Sequence, residues 1–256
     1  MKRKSIEFLC KSSDGSITYT TDGSFIYAET EKGKARLDIF SGHYYKLRPV
    51  NVTAGNRSSL RAVSEGTDTC VPILEIDGLR MHLVKDFKTP LDYSKEVVKQ
   101  LRLQTQDSVL DTCTGLGYTA IEASIYARKV VSCEISDAVL TLAKWNPWSE
   151  KLFNNAKIEI INGNIFEKIK EMQNSFFDAV IHDPPRFSTA GELYSLEFYL
   201  ELLRVLKPGG TLFHYVGSVG KGKGRDIQGE VSKRLAEAGF RAFVPNKKLQ
   251  GIFCRK

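Results

Sequence analysis

The sequence predicts an α/β protein in which a doubly wound, mostly parallel sheet follows a small N-terminal antiparallel β domain. Two observations predict this class. From about residue 89 onward, short apolar runs alternate with helix-like segments, as in strands joined by crossover helices. Before that point, polar and apolar residues alternate between turn signals, which is typical of antiparallel strands. We therefore place a β-rich domain at residues 1–88 and an α/β domain at residues 89–256.

The composition fits a folded protein and limits its class. The 256 residues are 42% hydrophobic and 26% charged, which is ordinary for a globular protein. The sequence shows no apolar stretch of the length of a membrane span or a signal peptide, so we expect a cytoplasmic protein without membrane contact. The five cysteines are scattered without C-x-x-C spacing, which argues against a disulfide framework and predicts no metal site.

In the N-terminal domain, residues 12–40 alternate polar and apolar side chains. Asp-Gly pairs stand at 14–15 and 22–23, where they indicate tight β-turns between strands. In the larger domain, runs that are mostly apolar predict strands covered on both faces, at residues 108–111, 129–135, 157–162, 176–183 and 211–216. Helix-like segments lie at residues 90–103, 119–127, 137–145, 193–206 and 230–240, and a final hairpin at 240–245 and 249–255. Ligands bind beyond the carboxyl ends of such strands, so the motifs are sought there.

A glycine turn follows the first strand of the larger domain. Gly115, Gly117 and Ala120 form a G-x-G-x-x-A pattern, which lets the backbone approach a ligand at a helix N-terminus. Nineteen residues after Gly115, Glu134 ends the second strand, where its carboxylate can accept hydrogen bonds from both hydroxyls of a ribose. On these residues alone, a nicotinamide dinucleotide and S-adenosylmethionine compete.

Asp111 separates these two cofactors. It stands four residues before Gly115, with Thr112 and Thr114 beside it and Leu116 within the turn. A carboxylate beside a pyrophosphate is repelled, whereas beside the α-amino group of a methionine moiety it is attracted. The residues therefore favour S-adenosylmethionine, with its methionine part on the turn and its carboxylate at the helix end.

The third strand end supplies a candidate adenine site. Asn164 falls where an adenine ring would lie in this layout, and its amide can contact the purine edge. Ile135, Ile165 or Phe166 would form an apolar slot for the ring. Taken alone, Asn164 is equally typical of a turn.

Four motifs, in this order and spacing, resemble those of class I S-adenosylmethionine-dependent methyltransferases: DTCTGLG, CEI, GNIF and HDPPRFS. The combination of HDPPRFS–AGELYS with LKPGG and FHYVG most resembles a group of predicted archaeal methyltransferases. The resemblance covers roughly residues 90–256 and implies a Rossmann-like sheet that binds S-adenosylmethionine. It leaves the substrate to the fourth strand end and the β domain.

The resemblance also implies a catalytic role for Asp183-Pro184-Pro185-Arg186 at the fourth strand end. Many methyltransferases that act on amino nitrogens have an acid or amide, two prolines and an aromatic residue here. The acid and a prolyl carbonyl orient the acceptor NH₂, so catalysis is mostly alignment and acceptance of a proton. This chain departs from the pattern, because Arg186 stands at the aromatic position and Phe187 comes one residue later. The acceptor atom is therefore left undetermined.

Arg186 has two interpretations. A D-P-P-R turn also resembles RNA pyrimidine C5-methyltransferases, but these need a cysteine at the next strand end, which here reads FHYVGS. A covalent mechanism is therefore not expected. Arg186 could pair with a substrate carboxylate or phosphate, or form a structural salt bridge with Glu192 or Glu197.

A basic loop and the net charge indicate a polyanionic substrate. Lys221, Lys223 and Arg225 alternate with glycines after the fifth strand, where a flexible loop could grip phosphates. The net charge is +7 and the pI about 9.1. We therefore expect tRNA or rRNA as substrate, contacted by these three residues and Phe187, with a protein or a small molecule as the alternative.

Two other functions stay open. Aminopropyltransferases of the spermidine synthase type also join a small β domain to this sheet and use decarboxylated S-adenosylmethionine. Their cofactor turn is richer in glycine and acid, and a polyamine needs several acids, so DTCTGLG, DPPRFS and a basic chain fit poorly. The other alternative is a non-catalytic RNA-binding module, against which the intact Asp111, Glu134 and Asp183 argue.

Overall fold

The computed structural model describes residues 18–21, 25–30, 33–38, 44–49, 71–77, 79–83, 86–217 and 226–256. These residues form a six-stranded antiparallel sheet and a seven-stranded, mostly parallel sheet flanked by helices. The predicted α/β class with an N-terminal antiparallel sheet is thus confirmed. The Asp-Gly pairs at 14–15 and 22–23 lie outside the described residues.

The first sheet runs in chain order, each strand antiparallel to the one before it. Its strands are β1 Thr18–Thr21, β2 Phe25–Thr30, β3 Gly33–Asp38, β4 Tyr44–Pro49, β5 Pro72–Ile76 and β6 Leu79–Arg80.

The second sheet has the order β12-β13-β11-β10-β7-β8-β9. Its strands are β7 Ser108–Asp111, β8 Lys129–Glu134, β9 Ile158–Asn162, β10 Phe177–His182, β11 Leu206–Tyr215, β12 Arg241–Asn246 and β13 Gly251–Arg255. Strand β7 pairs in parallel with both β8 and β10, so the strand order reverses at β7. The carboxyl ends of β7 and β10 therefore lie side by side at a switch point.

Seven α-helices are described: α1 Pro90–Leu101, α2 Tyr118–Tyr126, α3 Asp137–Trp145, α4 Glu150–Phe153, α5 Ile165–Lys168, α6 Leu196–Val205 and α7 Ile227–Ala238. Helix α1 begins at a capping box, in which the Thr89 side chain accepts from the Asp92 amide and the Asp92 side chain accepts from the Thr89 amide. The single helix predicted at 193–206 is split, because Ser195 caps α6 after a 3₁₀ turn at Gly191–Tyr194. The longest described helices have 12 residues, so none of them could span a membrane.

Strand β11 begins at Leu206, earlier than the apolar pattern indicates. Leu206 pairs with Phe177 across an irregularity in the register. The Lys207 ammonium holds this end of the strand, since its Nζ lies 2.7 Å from Asp178 Oδ2 on β10. Interactions between strands, which the local sequence does not show, therefore extend β11 through the LKPGG segment.

The second sheet separates two apolar cores, which explains its continuous apolar strands. Along β7, Val109 faces the core beneath α1–α4, and Leu110 faces the core beneath α6 and α7. Val130 and Val131 on β8 divide in the same way. Alternate residues of one strand thus pack into different cores, and both sets of residues need apolar side chains.

The two sheets are joined through α3 and the start of α2. Arg36 of β3 is buried, and its Nη1 donates to the Asp137 carbonyl at 3.1 Å and to the Thr141 hydroxyl. The Tyr118 hydroxyl donates to the Pro72 carbonyl at 2.8 Å. These contacts bring β5 and β6 close to the carboxyl ends of the parallel strands.

Candidate active site

A cavity of about 280 Å³ lies at the switch point, beyond the carboxyl ends of β7, β8, β9 and β10. One wall comes from the turns that follow these strands, and includes Thr112, Cys113, Thr114, Gly115, Glu134, Ile135, Asn164, Ile165, Asp183, Pro184 and Pro185. The opposite wall comes from the end of the β domain and from α1, and includes Leu74, Ile76, Met81, His82, Tyr93 and Ser94. The cavity therefore lies between the two sheets.

Glu134 and the glycine turn are linked directly. The Gly115 amide donates to Glu134 Oε2 at 2.9 Å, and the Ser136 amide donates to Oε1 at 3.0 Å. Burial raises the pKa of the Glu134 carboxyl, which these backbone donors oppose. Each carboxylate oxygen keeps a second lone pair, so Glu134 can still accept from two ribose hydroxyls.

Asp111 lies beneath the glycine turn. Its side chain is fully buried, is not part of the cavity wall, and accepts hydrogen bonds from Ser132 Oγ at 2.7 Å and Thr119 Oγ1 at 3.3 Å. Ser132 Oγ in turn lies 2.7 Å from Thr114 Oγ1 in the turn above. Burial raises the pKa of Asp111 to about 7. Asp111 thus supports the turn through Ser132 and Thr114, where the sequence predicts direct contact with the cofactor.

Leu116 and Gly117, also predicted to bind the cofactor, do not line the cavity. Leu116 is buried in the core, and Gly117 is the N-cap of α2 with φ of 78°. A Cβ on Gly117 would approach Leu152 Cδ2 to 2.5 Å. Both residues therefore shape the turn from within.

Asn164, Ile135 and Ile165, which the sequence predicts to contact an adenine ring, all line the cavity. Asn164 Oδ1 accepts from the Phe166 amide at 2.9 Å and so caps α5. Asn164 can cap this helix and bind a ligand at the same time, because its amide NH₂ can still donate to a ring nitrogen. Ile135 is 64% exposed beside it, and Ile165 also lines the cavity. An apolar side chain that is exposed at the mouth of a cavity can pack against the face of a planar ring.

Asp183 is the first residue after β10, where Pro184 ends the strand. The Tyr93 hydroxyl of α1 donates to Asp183 Oδ2 at 3.0 Å. Burial raises the pKa of Asp183 to about 7, although the Tyr93 hydrogen bond opposes this shift. A carboxylate with such a pKa can accept a proton near neutral pH.

His182 connects three parts of the site from behind. It is fully buried, its Nδ1 lies 2.8 Å from Thr112 Oγ1, and its Nε2 lies 3.0 Å from the Leu193 carbonyl. Because a carbonyl only accepts, Nε2 carries the proton and Thr112 donates to Nδ1. Burial lowers the pKa of His182 to about 3, so it is neutral and holds its neighbours in place.

The rest of the D-P-P-R-F motif is less enclosed. The Pro185 carbonyl accepts from Tyr194 Oη at 2.9 Å, which makes the Pro184 carbonyl the better candidate to accept from a substrate. Arg186 and Phe187 are exposed and lie outside the cavity wall, and the Phe187 ring packs 5.5 Å from the Tyr194 ring. Within the described residues, Arg186 has no ion pair within 4.0 Å, with Glu192, Glu197 or any other acid.

All described charged residues that line the cavity are acidic. Its charged wall residues are Glu134, Asp183 and Glu192, and no described Lys or Arg is among them. Three acidic side chains, with no described basic group to balance them, favour a cationic ligand. Within the same residues, no three His, Cys, Asp or Glu side chains are arranged to hold a metal ion.

The sequence predicts a substrate role for the β domain, but sequence reasoning did not identify the wall residues of that domain or of α1. Tyr93 and His82 lie far from the motifs along the chain and belong to no recognisable sequence pattern. Only the packing of α1 and the first sheet against the second sheet shows that they line the cavity. The predicted substrate residues Lys221, Lys223 and Arg225 lie outside the described residues.

Comparisons with known proteins agree with this architecture. The family model for the spermine/spermidine synthase domain matches residues 114–221. The crystal structure of a spermidine synthase in complex with the transition state analogue AdoDATO superposes with a TM-score of 0.62 at 16% identity. That match covers 94% of this chain and 74% of the other. At this identity the likeness concerns the fold.

Three curated relatives cover different shares of the chain. The uncharacterized protein MJ1233 of Methanocaldococcus jannaschii is 50% identical over 228 residues, 89% of this chain and 69% of that protein. A polyamine aminopropyltransferase of Sulfolobus acidocaldarius is 31% identical over 129 residues, 47% of this chain and 42% of that protein. The ribosomal RNA large subunit methyltransferase I of Vibrio parahaemolyticus is 29% identical over 110 residues, 40% of this chain and 27% of that protein.

The fold is the Rossmann-like fold that methyltransferases and spermidine synthases share. Among proteins with this fold, the chain belongs to the same family as the Methanocaldococcus jannaschii protein.

Proposed function

We propose that the protein transfers a methyl group from S-adenosylmethionine to the nitrogen of an amine held beside Asp183. The observation that carries the proposal is the Asp183–Tyr93 pair, which reaches a cavity whose described charged groups are all acidic. The sulfonium and an ammonium are both cations, so such a cavity attracts donor and acceptor alike.

Glu134, Asn164 and Ile135 suit the nucleoside part of the donor. Glu134 can accept from the ribose hydroxyls, the Asn164 amide can donate to the purine edge, and Ile135 can cover the ring. When bound, S-adenosylmethionine supplies a methyl group on a positively charged sulfur. The methyl therefore needs alignment more than activation.

Asp183 and the Pro184 carbonyl would position the acceptor. An ammonium has no lone pair, so it must lose a proton before its nitrogen can bond to carbon. Asp183, with a pKa of about 7, can take that proton while Tyr93 fixes its orientation. The nitrogen–carbon bond forms as the carbon–sulfur bond breaks, and the sulfur keeps the electron pair.

Aminopropyl transfer from decarboxylated S-adenosylmethionine is the second candidate. The acidic wall favours it, as do the matched family model and the Sulfolobus relative. A polyamine acceptor finds few partners for a distant ammonium, because Leu74, Ile76, Met81 and His82 of the β-domain wall offer no carboxylate and Glu192 is the one described acid besides Glu134 and Asp183 that lines the cavity. A methyl acceptor needs only one amine at Asp183.

RNA, expected from the net charge, remains one source of the amine. The cavity itself would repel phosphates, since its described charged groups are carboxylates. A base carrying an exocyclic amine could still enter if its phosphate backbone stayed outside the cavity.

The test uses methyl-labelled S-adenosylmethionine and, in parallel, aminopropyl-labelled decarboxylated S-adenosylmethionine. Each is incubated with RNA, with protein and with small amines from cells lacking the protein. Methyl label that enters one pool and disappears with Asp183→Asn supports the proposal. Label transferred only from the decarboxylated donor would replace it by the second candidate, and no transfer to any pool would refute both.

A further inference from the structure

His82 presents an unusual polar group to the cavity. It follows β6, lines the wall, and its Nδ1 accepts a hydrogen bond from the Leu74 amide at 3.1 Å. Burial lowers the pKa of His82 to about 4, so the ring is neutral at pH 7. Since the Leu74 N–H is a donor, Nδ1 has no proton and Nε2 carries it.

The Nε2–H of His82 has no hydrogen-bond acceptor among the described residues. The ring is held by Leu74 on one side and lies 5.4 Å from the Tyr118 ring on another. Its neighbours in the wall, Ile76 and Met81, are apolar. His82 is half-buried and lines the cavity, so its Nε2–H can donate to an acceptor atom of a ligand that fills the cavity.

His82 lies next to the start of α2. Tyr118, against which it packs, is the first residue of α2, and no side chain caps that helix. The helix N-terminus therefore adds free N–H groups and a partial positive charge at this end of the cavity.

We propose that His82 Nε2 binds the α-carboxylate of the methionine moiety of S-adenosylmethionine, together with the first-turn amides of α2. This assignment rests on the proposed function and deepens it, because it names the group by which the protein selects S-adenosylmethionine over its decarboxylated form. The decarboxylated form has nothing to accept from His82.

The assignment is tested by titration calorimetry, in which the full chain binds two nucleosides: S-adenosylmethionine and decarboxylated S-adenosylmethionine. His82→Asn places an oxygen at the position of Nδ1, so it can still accept from the Leu74 amide, but it removes the donor. His82→Gln places an amide near the position of Nε2 and can restore the donor. Leu79→Met, at an exposed position on β6 outside the cavity wall, is the control for altered packing.

Wild type is expected to bind S-adenosylmethionine more tightly than the decarboxylated form. His82→Asn is expected to weaken S-adenosylmethionine about tenfold or more, since a hydrogen bond to a charged group is lost. Its affinity for the decarboxylated form should stay within about twofold, as should both affinities of Leu79→Met. His82→Gln should recover part of the loss.

Equal effects of His82→Asn on both nucleosides would overturn the assignment, as would no effect on either. A wild type that prefers the decarboxylated form would overturn it too and would favour aminopropyl transfer. A wild type that binds neither nucleoside would refute the proposed function itself, which is a different failure. Far-ultraviolet circular dichroism of each variant shows that it is folded.

Discussion

At the scale of single residues, the surroundings of Asp183 make an ordinary carboxyl into a proton acceptor. The sequence places it at the end of an apolar strand, where two prolines prevent further pairing. Burial then raises its pKa to about 7, and Tyr93 limits the rise by donating to Oδ2. The chemistry of this residue therefore depends on α1, which lies across the cavity from β10.

Replacing Asp183 with Asn should separate chemistry from binding. The Asn oxygen can still accept from Tyr93, but the side chain cannot take a proton, so we expect the turnover number to fall at least 100-fold. Affinity for S-adenosylmethionine should change by no more than about threefold. Glu197→Gln, on the exposed face of α6, is the control. A variant that keeps more than a tenth of the wild-type turnover would exclude Asp183 as the proton acceptor.

The pH dependence of kcat/KM should report the same group. Asp183 must be ionised to accept a proton, so activity should rise about tenfold per pH unit below pH 7 and level off above it. Tyr93 donates to the carboxylate and favours its ionised form. Tyr93→Phe should therefore move the midpoint to higher pH, whereas Tyr126→Phe, at an exposed position, should not. An unchanged midpoint in Tyr93→Phe would contradict this role.

At the scale of elements, the turn between β7 and α2 joins the core to the cavity. Its two glycines have positive φ, 55° at Gly115 and 78° at Gly117, but their surroundings differ. A Cβ on Gly115 would meet nothing within 4 Å, whereas one on Gly117 would overlap Leu152. Of these two glycines, only Gly117 is required both for its backbone conformation and because a side chain there would overlap Leu152.

Alanine substitutions should distinguish these two glycines. Gly117→Ala adds overlap to backbone strain and should lower the free energy of unfolding by roughly 2–4 kcal/mol. Gly115→Ala adds strain alone and should cost about 1 kcal/mol. Urea denaturation measures both. Adding Leu152→Ala to each variant tests the cause, because it should reduce the difference between them by relieving the overlap at Gly117.

At the scale of the whole molecule, the cavity exists because the two sheets pack together. Arg36 crosses this contact from β3 to α3, and β5, β6 and the residues after them supply one cavity wall. We expect Arg36→Met to lower the free energy of unfolding by about 2 kcal/mol, since the Asp137 carbonyl and Thr141 hydroxyl lose their donor. It should also weaken binding of S-adenosylmethionine. Arg241→Met, on the exposed edge strand β12, should do neither. Stability loss without weaker binding would show that the β-domain wall does not contact the ligand.

The buried acids should also couple ligand binding to pH. The folded pKa values of Asp111 and Asp183 are both about 7, above their ordinary value, so their contribution to stability is greatest when they are protonated and is lost as pH rises through 7. A bound cation favours the ionised forms. The rise in Tm produced by S-adenosylmethionine should therefore be larger at pH 8 than at pH 5. An equal or smaller rise at pH 8 would mean that the sulfonium does not lie near these acids.

The sequence by itself determined the sheet, the glycine turn and the acidic residues at three strand ends, Asp111, Glu134 and Asp183. Strands buried on both faces are mostly apolar, the positive φ of Gly117 favours glycine, and the prolines stop β10 at His182. These are local requirements, so they are visible in a local pattern.

Only the tertiary structure decided what those residues contact. It placed Asp111 beneath the turn instead of in the cavity, gave Asp183 its partner Tyr93 from another element, and brought His82 to the start of α2. The physical reason is that such contacts follow from strand order and from the packing of one sheet on another. An apolar pattern records that a face is buried, but not which neighbour buries it.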